Sequence, residues 1–185
     1  MENLQSLVAL ACRGDREAFR GIYDASNDKI FRFLLGQLGD RELALDTLQD
    51  TYIDIWKAFP KFRFHSDEEF WGFIFTIARR KVYAARKYAQ KSSVLVDNET
   101  LEFLHESTHP ETPYHFEDLA LSSALEKIST LSREVLNLRY WSDLSFREIA
   151  ITLDTTENTA KVRHHRAIKE LLTYLPKTYV EQQFI

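Results

Sequence analysis

Residues 144–172, LSFREIAITLDTTENTAKVRHHRAIKELL, hold the side chains whose types and spacing best suit molecular recognition. Asn158, Lys161, Val162, His165 and Lys169 recur at three- and four-residue steps, with Arg163 and Arg166 on their flanks, so on a helix they share one side. Amide, imidazole and cationic groups in such a row can donate to base edges and phosphates. They offer no nucleophile and no acid–base pair. The surrounding residues predict how the row is held. Ser145 and Glu148 form a capping box, and Ile149, Ala150 and Leu153 give the helix behind it an apolar face. Asp154-Thr155-Thr156 breaks the period, and Thr156 is a good N-cap for a second helix from Glu157. Ala160, Ala167 and Leu171 then face inward, with His164 between them as a neutral, half-buried residue. A short helix, a turn and a longer helix with a basic, amide-bearing outer side is how a helix-turn-helix enters a major groove. An ordinary helical hairpin with a solvated side fits the same pattern.

A second group of chemical interest lies upstream. The loop KFRFHSDEEF carries Phe62, Arg63, Phe64 and His65. The helix FWGFIFTIARRKVYAARKY at 70–88 follows it, with Phe70, Phe73, Ile74 and Ile77 as the expected buried stripe. Thr76, Arg79, Arg80, Tyr83, Arg86 and Lys87 fall on another side. Cations beside aromatic rings suit single-stranded nucleic acid, because cations track phosphates and rings stack on unpaired bases. Solvated arginines around a half-buried Tyr83 fit equally well. A third helix, ELALDTLQDTYIDIWKAF at 42–59, turns Leu45, Leu48, Tyr52, Ile55 and Phe59 inward. It presents Asp46, Gln49, Asp50, Ile53, Asp54 and Lys57 outward, an acidic rim around one apolar side chain that suits a partner with a basic surface. A plain solvated face is the alternative.

No glycine-rich phosphate loop, HExxH pair or nucleophile elbow occurs, so an enzyme is not expected, nor a cofactor. His105, His109 and His115 sit beside Pro110 without a matching cysteine, so no metal site is expected. Cys12 is the single cysteine; it reads as a small core residue in a reducing compartment. The opening MENLQSLVALACRGD does not read as a secretory signal, and no run approaches the roughly 18 apolar residues of a membrane span, so no membrane insertion is expected.

The 185 residues are 44% hydrophobic and 28% charged, with five glycines and four prolines, which predicts an all-α protein. The net charge of −4 divides unevenly: −3 over residues 1–60, +5 over 61–91, −8 over 92–126 and +2 over 127–185. Residues 91–115 lose the helical period and gain Ser, Thr, Pro and acids, as a flexible acidic linker does. The expected architecture is two small helical domains, 1–90 and 116–185, around that linker, the second a helix-turn-helix domain of winged-helix-like or four-helix form. In the first domain Leu7, Leu10, Ala11, Phe19, Ile22, Tyr23, Ile30, Phe33, Leu34 and Leu38 are expected core. In the second, one helix carries Leu119 to Leu131, Ser132 caps the next, and Val135, Leu136, Leu138 and Tyr140 are available for the core.

Taken in order, GDREAFRGIYD (14–24), DTLQDTYIDIWK (46–57), FHSDEEFWGFIFTIARRK (64–81), ALEKISTLSREVLNLRYWSDLSFREIA (124–150) and TTENTAKVRHHRAIKEL (155–171) resemble the extracytoplasmic-function (ECF) group of the sigma-70 family. The resemblance implies a promoter-specificity subunit acting in the cytoplasm with core RNA polymerase and promoter DNA. It assigns core-polymerase binding to Asp46, Gln49, Asp50, Ile53 and Trp56. Capture of a melted, single-stranded −10 element falls to Phe64, His65, Arg79, Arg80, Tyr83, Arg86 and Lys87. Duplex −35 recognition falls to Thr156, Asn158, Thr159, Lys161, Arg163, His165 and Arg166. An anti-sigma partner is in keeping with the family's habit. Phe73 stands where the family often has tryptophan, Arg80 where it often has asparagine, and Ala84 where it often has aspartate. Two rivals are a stand-alone helix-turn-helix regulator and a sigma-like interaction protein lacking promoter melting.

Overall fold

The computed structural model describes residues 4–93 and 119–176, and every regular element among them is helical. The order is α1 (Leu4–Ala11), α2 (Arg16–Leu38), α3 (Arg41–Ala58), a 3₁₀ turn (Phe59–Lys61), α4 (Asp67–Ser93), α5 (Leu119–Lys127), α6 (Thr130–Tyr140), α7 (Phe146–Thr152) and α8 (Glu157–Tyr174). The expected histidine group at 105–115, most of the linker and the tail beyond Pro176 lie outside the described residues. Helix α4 runs to Ser93, past the expected start of the linker.

Short polar residues set the boundaries. Asp15 accepts from the Ala18 amide at 2.9 Å and Asp40 from the Leu43 amide at 2.6 Å, capping α2 and α3. Between those helices Gly39 takes the left-handed conformation, φ 74°, and its N–H closes on the Leu35 carbonyl. Both halves of the Ser145–Glu148 capping box form, and Thr156 caps α8. In the turn between α7 and α8, Asp154 adopts φ 50°, a conformation that Asp tolerates better than most residues. One expected cap shifts: Ser129, not Ser132, starts α6, and α5 ends before Leu131. The Ser132 hydroxyl instead donates to Glu170 Oε2 at 2.5 Å, tying α6 to α8.

Helices α1 to α4 pack in sequence order, and α5, α6 and α7 pack around α8. The larger core runs through Ile22, Ile30, Phe33, Leu34, Ile55, Phe59, Phe70, Ile74 and Phe75, then on into Val135, Leu138, Ile149 and Leu153. It is continuous because α7 lies on α4 and α6 on α2. Phe33 and Phe75 meet edge to face at 5.7 Å in its middle. Phe73 stacks at 4.4 Å on Phe62, filling the corner below the 3₁₀ turn. In the first block Ser26 donates to the Ile22 carbonyl and shares a 2.7 Å hydrogen bond with Tyr52, so the buried phenol is satisfied. Cys12 is half-buried, and burial raises its thiol pKa, in keeping with a packing role.

The periodicity reading errs at particular positions. Leu45 is 39% exposed, whereas Ala44, Thr47 and Thr51 face inward. Thr51 can be buried because its hydroxyl donates to the Thr47 carbonyl at 2.6 Å, and such small side chains let α3 approach its neighbours closely. Leu10, Tyr23, Leu131 and Tyr140 are also exposed, although the Tyr23 ring still packs, tilted, against Tyr52 at 4.5 Å. Phe75, outside the expected stripe, is completely buried. Phe75→Ala should lower unfolding free energy by about 3–5 kcal/mol, as deletion of a buried phenyl ring does. Urea denaturation measures this, and a loss near that of a surface substitution would contradict the central place of Phe75.

Candidate polymerase-binding and nucleic-acid interfaces

The α8 surface forms as its spacing predicts. Ala160, Ala167 and Leu171 are buried, while Asn158, Lys161, Val162, His165, Arg166 and Lys169 point to solvent. Arg163 is half-buried. Thr156 accepts from the Thr159 amide at 3.2 Å, and the two hydroxyls lie 2.9 Å apart. Both are therefore engaged in starting the helix. Lys161 pairs with Glu157 at 2.6 Å along the same side, an exposed pair that a phosphate could displace at little cost. His164 sits on the inward flank. Its Nε2 lies 3.1 Å from the Tyr140 hydroxyl, and its ring stands 5.3 Å from that of Phe146. Burial first, then the charges of Arg139 and His165, hold its pKa below the ordinary imidazole value, which favours the neutral ring.

On α3, Asp46, Gln49 and Asp50 are exposed, and Ile53 among them is 50% exposed. Trp56 is only half-exposed, since its ring packs against Phe19 at 4.8 Å. The anticipated acidic rim with an apolar centre is therefore an actual surface. Asp54 is drawn away from it toward α4 by a 2.7 Å ion pair with Lys81.

Helix α4 splits the residues that the sequence puts on one side. Arg79 donates through Nε to Glu134 of α6 at 2.8 Å and lies over the Tyr83 ring at 5.0 Å. Arg86 donates to the Gln37 carbonyl of α2 at 2.6 Å. Both guanidinium groups are half-buried in protein contacts rather than displayed. Arg80 instead lines a groove with Lys57, Lys61, Asp54 and Lys81, the last two paired at 2.7 Å, beside Ala58, Ile77 and Ala84. Lys87 is exposed, and Tyr83 is 46% exposed. In the preceding loop, Phe64 is half-buried and His65 is exposed, its Nδ1 3.0 Å from Glu69.

Sequence reasoning missed that Lys57, Lys61 and Lys81 line one groove with Arg80 and Asp54, because they come from separate segments. It also missed Glu134, which is 4% exposed and looks like an ordinary helix-surface acid in REVLNLRYW. No clusters of His, Cys, Asp and Glu fit for a metal ion occur among the described residues. None of the described helices is long and apolar enough to cross a membrane.

Comparison with known proteins adds independent findings. The family described as Sigma-70 region 2 matches residues 22–92, and that described as Sigma-70, region 4 matches residues 118–171. The ECF RNA polymerase sigma factor BldN of Streptomyces coelicolor is 25% identical over 175 residues, covering 94% of this chain and 66% of BldN. The ECF RNA polymerase sigma factor SigL of Mycobacterium tuberculosis is 26% identical over 164 residues, covering 89% of this chain and 92% of SigL. Among solved structures, CnrH in complex with the cytosolic domain of CnrY aligns with a TM-score of 0.66 at 21% identity, covering 90% of this chain and 93% of CnrH.

The depressed pKa of His164 has a consequence for stability. Above about pH 6.5 the imidazole is neutral in both the folded and the unfolded chain. As pH falls, the unfolded chain takes up the proton first, so stability declines from there down through the folded value. His164→Leu should therefore shrink the difference in urea stability between about pH 7 and about pH 5. An unchanged difference would mean that the folded ring protonates freely.

Proposed function

This chain belongs to the ECF group of the sigma-70 family, and from that membership we infer that it is a promoter-specificity subunit of bacterial RNA polymerase. It acts by binding rather than by catalysis, in the cytoplasm where polymerase and DNA meet. The observation that carries the reading is the outward side of α8, a row of amide, imidazole and cationic groups on a helix-turn-helix, in a chain whose two blocks match regions 2 and 4 in order.

The work divides among three surfaces. Asp46, Gln49, Asp50, Ile53 and the edge of Trp56 dock on core polymerase, with Ile53 entering an apolar pocket and the acids meeting its basic rim. Asn158, Lys161, His165 and Arg166 read the −35 duplex in the major groove, with Thr156, Thr159 and Arg163 orienting the helix on the backbone. Phe64, His65, Arg79, Arg80, Tyr83, Arg86 and Lys87 capture the melted −10 strand, each stacked base contributing roughly 1–3 kcal/mol. Arg80 replaces an amide with a guanidinium, which alters the bases or phosphates accepted there. The chain is divided functionally into 1–90, a connecting 91–115 and 116–185. Alone it binds DNA weakly, because its basic groups are spread over separate patches of a net-acidic chain. Docking on polymerase supplies the effective concentration that both contacts need. An anti-sigma partner restrains it; CnrH, which it resembles, is paired with CnrY.

Run-off transcription with purified core polymerase on pooled genomic fragments should give discrete new start sites that share two motifs at constant spacing. No new starts would refute the reading. Ile53→Asp should weaken co-elution with core polymerase by about tenfold or more, as loss of a buried interface anchor does. It should leave thermal unfolding nearly unchanged, because Ile53 is exposed in the free chain. Undiminished co-elution would remove Ile53 from the docking surface.

A further inference from the structure

One residue on the outward side of α8 does not share the chemistry of its neighbours. Val162 is 41% exposed, a branched hydrocarbon in a row otherwise made of Asn158, Lys161, His165, Arg166 and Lys169. At about 100° per residue it stands about 200° round the helix from Ala160. Ala160, Ala167 and Leu171 form the buried stripe of α8, so Val162 lies near the middle of the opposite side.

Neither packing nor local propensity accounts for a valine at that place. Val162 belongs to neither apolar core of the molecule. At an exposed position inside a helix, a β-branched residue is a poorer helix former than alanine, lysine or arginine. Its χ1 is stiff, however, so the two methyl groups keep one direction and lose little entropy on contact.

The surroundings specify what could cover those methyl groups. Thr156 fixes the start of α8 by accepting from the Thr159 amide at 3.2 Å, and Val162 follows in the second turn. That is the part of a recognition helix that reaches base edges. Lys161, Arg166 and Lys169 are exposed beside it, and Arg163 is half-buried, a setting that suits a polyanion better than an apolar protein surface. In the major groove the thymine C5-methyl is the hydrocarbon group on offer, among donors and acceptors. A polar group pressed against valine loses water and gains no bond. Val162 therefore favours thymine over the other bases where it meets the duplex.

We propose that Val162 is a specificity-determining residue of the duplex reader: its methyl groups pack on the C5-methyl of a thymine in the −35 element and fix a T·A pair there. The inference rests on the −35 role of α8 given above, and adds to it one base and the group by which that base is read. Asn158 and His165, one helical turn to either side, then meet the flanking base pairs.

The test uses the full chain reconstituted with purified core polymerase. Selection from duplex DNA randomised over the upstream element gives the preferred −35 box. Each thymidine of that box is then replaced in turn by deoxyuridine, which pairs as thymidine does but lacks the C5-methyl. At one position the exchange should weaken wild-type binding about fourfold, the effect of one buried methyl group. With Val162→Ser the same exchange should change binding by less than about twofold, because the two changes remove one contact. The variant should unfold at nearly the wild-type temperature, since Val162 lies outside both cores. A selected box without thymine, or a wild-type chain indifferent to deoxyuridine at every position, would overturn the proposal. So would a deoxyuridine penalty that persists undiminished in Val162→Ser, which would assign the methyl group to another residue or to the shape of the duplex. A selection that yields no shared duplex motif would defeat the promoter reading itself, and with it the base that Val162 is given to read.

Discussion

Helix α4 is buried on more than one side, and the rest of the molecule is arranged to cover it. A surface helix normally presents one apolar stripe, whereas an apolar sequence around the whole circumference needs neighbours all round. The first half of α4, FWGFIFTIA, is of that second kind. It meets Phe59 and Phe62 of the 3₁₀ corner through Phe73, Phe33 of α2 through Phe75, and Ile151 of α7 across Gly72. The first block alone covers part of this surface, and α7 covers more. One helix thereby couples the two halves of the chain, and its basic continuation carries Arg79, Arg80, Tyr83, Arg86 and Lys87, five of the residues proposed for the −10 strand.

Charge follows the same division of labour. A net charge of −4 conceals a basic segment at 61–91 and a mildly basic stretch at 127–185, with an acidic rim on α3 facing elsewhere. These surfaces are spread over different elements, so a partner can occupy one without touching the others. The ion pairs that cross between the blocks are mostly exposed and add little net stability. Arg79–Glu134 differs because the carboxylate is enclosed: it specifies an arrangement more than it stabilises one.

What could be read in advance followed from local rules. The capping box at Ser145, the cap at Thr156, the turn at Asp154 and the outward row on α8 depend on residues within one or two helical turns of each other. Errors arose where neighbours distant in sequence chose the inward side. Periodicity put Leu45 inside, but close approach to α3 favoured Ala44, Thr47 and Thr51. It made Tyr140 core, although its hydroxyl serves His164 near the surface. It placed the first α6 cap at Ser132, because the tie to Glu170 that uses that hydroxyl spans 38 residues.

The sequence by itself determined the all-helical class, the helix-turn-helix, the acidic-apolar side of α3 and the family, because each is a pattern of neighbouring residues or an ordered set of motifs. Only the tertiary structure decided that Arg79 and Arg86 face protein while Arg80 opens into a lysine-lined groove. It alone showed that Gly72 marks the crossing of α4 and α7. Those outcomes depend on how closely two backbones approach and which buried carboxylate meets which guanidinium. Such distances join residues far apart along the chain, and no local periodicity encodes them.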